Sequence, residues 1–161
     1  MGAAAAETVR PPFAAFNFAV ELDVPGVSTL VCNAAFAECD GLEQTLDVKT
    51  LREGGNNGAQ IRLAGAVSYG TLTLKRGMTS SFDLWTWMDL VVGSPWVRGS
   101  GEVVVHSPDR TRVDARFVLT RVLPVKLKAP PLNAKDGLVA IEELQLAYDS
   151  LRLLPGEAAR A

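Results

Sequence analysis

Hydrophobic and polar positions alternate with a period of two along most of this chain. Phe16, Phe18, Val20, Leu22 and Val24 share one face, and Asn17, Glu21 and Asp23 share the other, so residues 16–24 read as a strand. Pro25-Gly26 ends it with a turn signal. Residues 27–38 are rich in small side chains and read as one or two further strands, with Asp40-Gly41 as a second turn. Residues 46–77 stand out. Alternation at Leu46, Val48 and Thr50 leads into a polar, glycine-rich stretch of Arg52, Glu53, Gly54, Gly55, Asn56, Asn57 and Gly58. It resumes through Tyr69, Thr71 and Thr73, with Leu72 and Leu74 on the other face. Two strands joined by a long glycine-rich tip predict a protruding hairpin arm. Such a tip buries little surface of its own, so it is mobile or completed by another chain.

The period then changes. Ser80-Ser81 offers N-cap hydroxyls, Asp83 falls in a first turn, and residues 82–92 lack Gly and Pro. Leu84, Trp87, Met88 and Val91 are spaced for one helical face, widened by Phe82 and Trp85, and Gly93 and Pro95 close the helix. Residues 102–106 and 112–119 read as a hairpin around Ser107-Pro108-Asp109-Arg110, with Val113, Ala115, Phe117 and Leu119 inward. Pro124 is expected to break the next strand, and Pro130-Pro131 to end it. Residues 138–151 fit both periods; strand is favoured because Val139 and Ile141 open the segment after the turn signal Asp136-Gly137.

The expected fold is mainly β: a small β-barrel or sandwich of antiparallel sheets with one flanking helix and the long hairpin. No internal repeat or linker divides it. Residues 13–154 form one domain, residues 1–12 a loose leader and residues 155–161 a frayed tail.

Composition removes several function classes. Charged residues make up 21% and hydrophobic ones 48% of 161, with a net charge of −2, so neither nucleic acid nor an acidic membrane is expected as a main partner. No run approaches the length of a membrane span, and the alanine-rich start lacks a signal sequence's basic residues, which predicts synthesis and assembly in the cytoplasm. Cys32 and Cys39 with the single His106 do not make a metal set. The two thiols read as free in a reducing compartment, a Cys32–Cys39 bond being the lesser alternative.

Chemistry finds little support. The Gly54-Gly55-Asn56-Asn57-Gly58 stretch is followed by Ala59-Gln60, not by the Lys and Ser or Thr of a phosphate loop. No serine sits in a G-x-S-x-G turn. Cys32 or Cys39 with His106 can be drawn as the nucleophile and base of a small hydrolase, but a core thiol and a strand-end histidine are the stronger reading. Glu142 and Glu143 are adjacent on a strand and point to opposite faces, as do Lys75 and Arg76. For the basic pair, a solvated strand end competes with a salt bridge between subunits. Trp85 and Trp87 read as core or interface anchors. No catalytic residue, cofactor or metal is expected.

Six pieces occur in an informative order: FNFAVEL, FAECDGLE, TLREGGNN, YGTLTLKRG, a tryptophan-bearing helix and LPVKLKAPPLNAKDGLVAIEELQLAYDSL. Together, over residues 13–151, they resemble the tail-tube proteins of contractile phages and of phage-tail-like contractile injection systems. The resemblance implies two antiparallel sheets with a flanking helix. It implies six copies closed into a ring around a lumen, and rings stacked through an arm matched here by residues 46–65. It also implies a sheath, baseplate and spike as partners, and possible cargo in the lumen. Inter-ring or inter-subunit contacts would fall on Leu46, Val48, Leu51, Arg52, Glu53, Gly54, Gly55, Asn56, Asn57, Tyr69, Lys75 and Arg76. Phe82, Trp85, Trp87 and Met88 would buttress the wall. Val118 and Leu123 stand near positions where relatives often carry aromatics, and the segment from Cys32 to Cys39 is unusually small. Two roles therefore stay open: main tube subunit, or the initiator ring that joins spike to tube.

Overall fold

In the computed structural model, which describes residues 12–27, 36–52, 54–55, 60–135 and 137–156, the two-residue period becomes strand almost wherever it occurs. The chain runs β1 (Phe18–Asp23), β2 (Glu38–Asp40), β3 (Gln44–Arg52), β4 (Gln60–Tyr69), β5 (Leu72–Gly77), α1 (Asp83–Gly93), β6 (Gly99–His106), β7 (Val113–Lys128), β8 (Ile141–Ala147) and β9 (Ser150–Pro155). Neighbouring strands pair antiparallel in the order β1-β6-β7-β8-β5-β2, with β9 also on β7 and β3-β4 standing apart as a two-stranded sheet.

β7 joins the two halves of the wall. Its first part pairs with β6 and β9, and its last part with β8. Between them, Gly101 faces Leu119 while Gly99 faces Val122, so β7 holds an extra residue, and Arg121 there has φ 52°. Such a bulge bends a strand and lets it pass from one sheet to another. Pro124 does not break this strand as expected. It faces Leu146, and the next pair is Lys126–Gln145, so the proline sits at a second irregularity, where a missing N–H is tolerated.

The core lies between the sheet halves and under α1. β1 contributes Val20, Leu22 and Val24, β5 Leu72 and Leu74, β8 Leu144 and Leu146, β7 Leu119 and Val122, and α1 Leu84 and Trp87. Phe16, expected on the inward face of the first strand, is 70% exposed, because β1 begins only at Phe18. α1 forms where its apolar spacing predicted, but the Ser80-Ser81 cap does not: Phe82 occupies the N-cap position, and Asp83 Oδ1 accepts the Leu84 N–H at 3.0 Å. The segment 138–151 is strand as expected from Ile141 on, divided into β8 and β9 by a bend at Tyr148-Asp149, with both parts running antiparallel to β7. Asp149 N–H there bonds to Thr120 O at 3.0 Å. Residues 28–35, and with them Cys32, lie outside the described residues, as do Glu53, residues 56–59, most of the leader and the last five residues.

A candidate assembly arm and its root

β2 runs on through residues 41–43 into β3, and β4 runs on through residues 70–71 into β5. Together they form one long antiparallel ribbon. Its lower part is embedded in the wall, where Asp40 faces Thr73 and Cys39 faces Leu74. Its upper part, β3-β4, is exposed along its length. The returning strand of the arm is therefore residues 60–69. Residues 72–74, which alternation alone joins to the hairpin, belong to the wall, because Leu72 and Leu74 bury their side chains completely.

The exposed part carries large apolar residues: Leu46, Val48 and Leu51 on β3, and Ile61, Leu63 and Val67 on β4, each between 39% and 55% exposed. Residues paired across an antiparallel ribbon point to the same side. Leu46 pairs with Val67 and Val48 with Ala64, placing an apolar group near the root on one face. Leu51 pairs with Ile61 and Lys49 with Leu63, placing a second group near the tip on the opposite face. On the reverse of that tip group lie Thr50, Arg52, Gln60 and Arg62. On β3 the change of side is the odd step from Val48 to Leu51; on β4, where Ile61, Leu63 and Val67 share one parity, it follows from a bulge, since two steps from Leu46 to Val48 face three steps from Val67 to Ala64. Gly65 lies in the bulge, where an added Cβ would stand 2.9 Å from Asp47 O. Bulges of this kind are built features of a strand pair, and this one sets which residues an incoming partner meets.

The root is fixed. Tyr148, 5% exposed, accepts the Glu43 N–H at 3.1 Å, and its hydroxyl proton faces Gly41 O at 2.9 Å and Glu43 O at 3.1 Å. Its ring lies 5.7 Å from that of Tyr69, the last residue of β4. Gly41 has φ +96°, and a Cβ on it would meet Thr71 O at 2.0 Å, so only glycine lets the two chains cross here. Tyr148→Phe is expected to cost about 1 kcal/mol. It should also speed amide exchange at residues 43–46 and 68–70 while the β6-β7 amides stay protected. Unchanged exchange at the root would show that the hydroxyl does not hold the arm.

Beside the other end of β5 is a buried ion network. Arg76 Nε donates to Glu142 Oε1 at 2.5 Å, and Arg76 Nη2 donates to Asp83 Oδ1 at 2.6 Å. Trp85 Nε1 donates to Glu142 Oε2 at 3.3 Å, and the guanidinium carbon lies 6.0 Å from the centre of the Phe36 ring. Arg76 and Glu142 are each 1% exposed. This corrects one expectation: Arg76 is not a surface group for a neighbouring subunit but joins β5, β8 and α1 within its own chain. Burial works against ionised Asp83, yet the hydrogen bond and charge of Arg76 hold its carboxyl below the ordinary value.

The model of the T4-like virus tail tube protein gp19 family matches residues 14–152 of this chain. The chain belongs to that family. Among solved structures, this tail tube family chain is similar to one in the anti-feeding prophage baseplate, a 6-fold symmetrised cryo-EM structure, at 26% identity. That match has a TM-score of 0.80 and covers 91% of this chain and 98% of that one. A chain of the extended sheath-tube complex of PVC, an extracellular contractile injection system, shares 18% identity, with TM-score 0.74 and coverage of 91% and 94%. The Hcp1 protein of Flavobacterium johnsoniae shares the fold at 15% identity, with TM-score 0.51 and coverage of 86% and 96%. No curated protein sequence matches. The chain is thus a tail tube-like protein of the contractile injection system type, and its mainly β fold with one helix is that of its structural neighbours.

The other sequence-derived residues of this tail tube protein fall as follows. Arg52, Gly54 and Gly55 are exposed at the arm's end, Gly55 with φ 106°. Glu53, Asn56 and Asn57 lie outside the described residues. Tyr69 is half-buried at the root, and Lys75 bonds Glu38 at 2.7 Å within the chain. Trp87 is fully buried, Trp85 and Met88 are half-buried, and Phe82 is 58% exposed. The structure does not bring Cys39 and His106 together: Cys39 faces Leu74 on β2, and His106 faces Val113 on β6. Burial, with Asp40 beside it, pushes the Cys39 thiol up to about 11, away from thiolate chemistry. Among the described residues no helix is long and apolar enough to cross a membrane, and no His, Cys, Asp and Glu group is placed to hold a metal. Sequence reading singled out neither Tyr148 nor Glu142 as a contact, took Ile61 and Leu63 only within the arm's range, and left Val67 outside it. The three arm residues carried a signal, since all sit at odd positions of an otherwise polar or small segment.

Proposed function

We propose that this chain is a structural subunit of the inner tube of a contractile injection particle. Identical copies close into six-membered rings, and the rings stack into a conduit inside a sheath, between a baseplate with its spike and the far end of the tube. The observation that carries this reading is the β3-β4 arm: a ribbon exposed on both sides, with apolar residues on each, that the chain's own body does not cover. The sheet supports it too, since β1 and β2 end the strand order among the described residues and each keeps an edge for a neighbour's backbone. One contact repeated around an axis closes such edges. The work is mechanical, and no side-chain constellation in the described residues calls for catalysis. Deleting residues 56–59 is expected to leave a folded chain that forms rings but no stacks in negative-stain images. Tubes of normal length from that variant would remove the arm from ring stacking.

A second reading has its own support: the 26% identical neighbour is a chain in a baseplate structure. In that reading the protein is the initiator ring that joins spike to tube. The purified chain separates the two, because a main tube subunit makes tubes unaided and an initiator stops at rings until a spike protein is added.

A further inference from the structure

The arm leaves the body at one end of β5, and a second exposed apolar group marks the other end. At the Leu72 end, Gly70 and Thr71 lead out into β4. At the Gly77 end, Gly77 pairs with Ile141, and Met78 N–H bonds to Ala140 O at 2.8 Å. Val139 and Ile141 lie beside Gly77 there, 76% and 40% exposed, and a Cβ on Gly77 would stand 3.8 Å from Val139 Cγ1; Met78 and Leu138, 38% and 83% exposed, adjoin them in the chain. We propose that the tip of the arm, through Leu51, Ile61 and Leu63, seats on this patch of a second copy, so that stacking joins unlike poles. The proposal rests on the tube-subunit reading and names the receiving surface.

Three features select this occupant. The arm has reach: β3 alone, nine residues, spans about 30 Å and is exposed along its whole length, so the chain's own body does not cover it. Copies stacked in one orientation along β5 bring the Leu72 pole of one to the Gly77 pole of the next. A contact between unlike poles repeats without limit, whereas like poles would pair once and stop at a dimer. The pairing at the tip then decides which side of the arm seats, because there Leu51, Ile61 and Leu63 share one side and the reverse carries Arg52 and Arg62.

The test places cysteines on the two surfaces of the full chain. Leu63→Cys with Val139→Cys is expected, after mild oxidation of assembled protein, to give a ladder of covalent multimers. The parent chain, with only Cys32 and Cys39, and the pair Leu46→Cys with Val139→Cys should stay monomeric on a denaturing gel. A product that stops at the dimer, or no product from assembled tubes, overturns the proposal. Val139→Lys with Ile141→Lys gives a second readout: rings without stacks are expected, and tubes of normal length would remove the patch while leaving the tube-subunit reading intact. A parent chain that forms neither rings nor tubes would instead overturn that reading, and this proposal with it.

Discussion

Glu142→Ala is expected to destabilise the chain by about 3–5 kcal/mol, the usual cost of leaving one member of a buried ion pair without its partner. Glu142 accepts from both Arg76 Nε and Trp85 Nε1, and it is 1% exposed. Its removal leaves the buried guanidinium without its Nε partner, while Nη2 keeps Asp83. A domain of this kind has a total stability of about 5–15 kcal/mol, so the loss is a large share of it. At roughly 2–4 °C per kcal/mol, the unfolding midpoint should fall by about 10 °C. The network makes a sharper claim than its single variants. Arg76→Met combined with Glu142→Leu should recover most of the loss, because a well-packed apolar pair at such sites is often as stable as the ions it replaces. A double variant no better than the worse single one would mean that the ions act through geometry that apolar side chains cannot supply, most directly the hold on the first turn of α1.

The same network predicts an acid limb. Asp83 has a folded value below its ordinary 3.8: burial raises it, and the bond and charge of Arg76, with the Leu84 N–H and Ser81, together bring it down. A carboxyl depressed by folding stabilises the fold fully above its unfolded value, and the contribution is lost as pH falls through the folded one. Stability of the parent chain should therefore decline below about pH 4 by an amount that Arg76→Met abolishes. Equal acid slopes in the two proteins would assign the limb to other carboxylates.

The sequence made much of this visible through the period of two. Leu72, Leu74 and Arg76 share one parity, as do Glu142, Leu144 and Leu146, and the structure buries all six. Parity alone thus pointed Arg76 and Glu142 inward. What it did not show is that the two strands are neighbours in register, a contact across 66 residues of chain that no local pattern encodes. Arg76 therefore reads from sequence as a solvated or inter-subunit group, since buried charges are rare without a partner and the partner is out of sight. Tyr148 was missed for the same reason: its ring fits a strand pattern, and its role appears only where residues 41–43 pass beside it. The arm was legible as residues 46–65, but alternation alone ran it on without a mark into residues 69–74. Tyr69, Thr71 and Thr73 alternate well, and alternation does not tell a free ribbon from its continuation in the wall. Pro124 marks the limit of a residue-type rule, because a bulge accommodates the ring that a regular ladder excludes.

Leu51→Thr, Ile61→Thr and Leu63→Thr together are expected to abolish tubes while leaving the monomer's unfolding midpoint nearly unchanged. Threonine keeps the strand preference of the ribbon and removes its apolar surface. The three side chains are already 50%, 39% and 48% exposed, so little folding energy is tied to them. Covering what remains exposed is worth roughly 1 kcal/mol per side chain, or about 3 kcal/mol for each arm. That is too little to hold two isolated copies together at ordinary concentrations. Repeated by every arm of the proposed six-membered ring it becomes about 18 kcal/mol, since linked contacts add once the first has formed. The assembly is therefore steeply sensitive where the monomer is not. Thr50→Ala with Arg62→Gln makes the comparison at the same level of the same arm, on the reverse side, and should leave tube length as it was. Electron microscopy of the three proteins at equal concentration reads the difference, and stacked tubes from the triple variant would exclude this face of the arm from the contact.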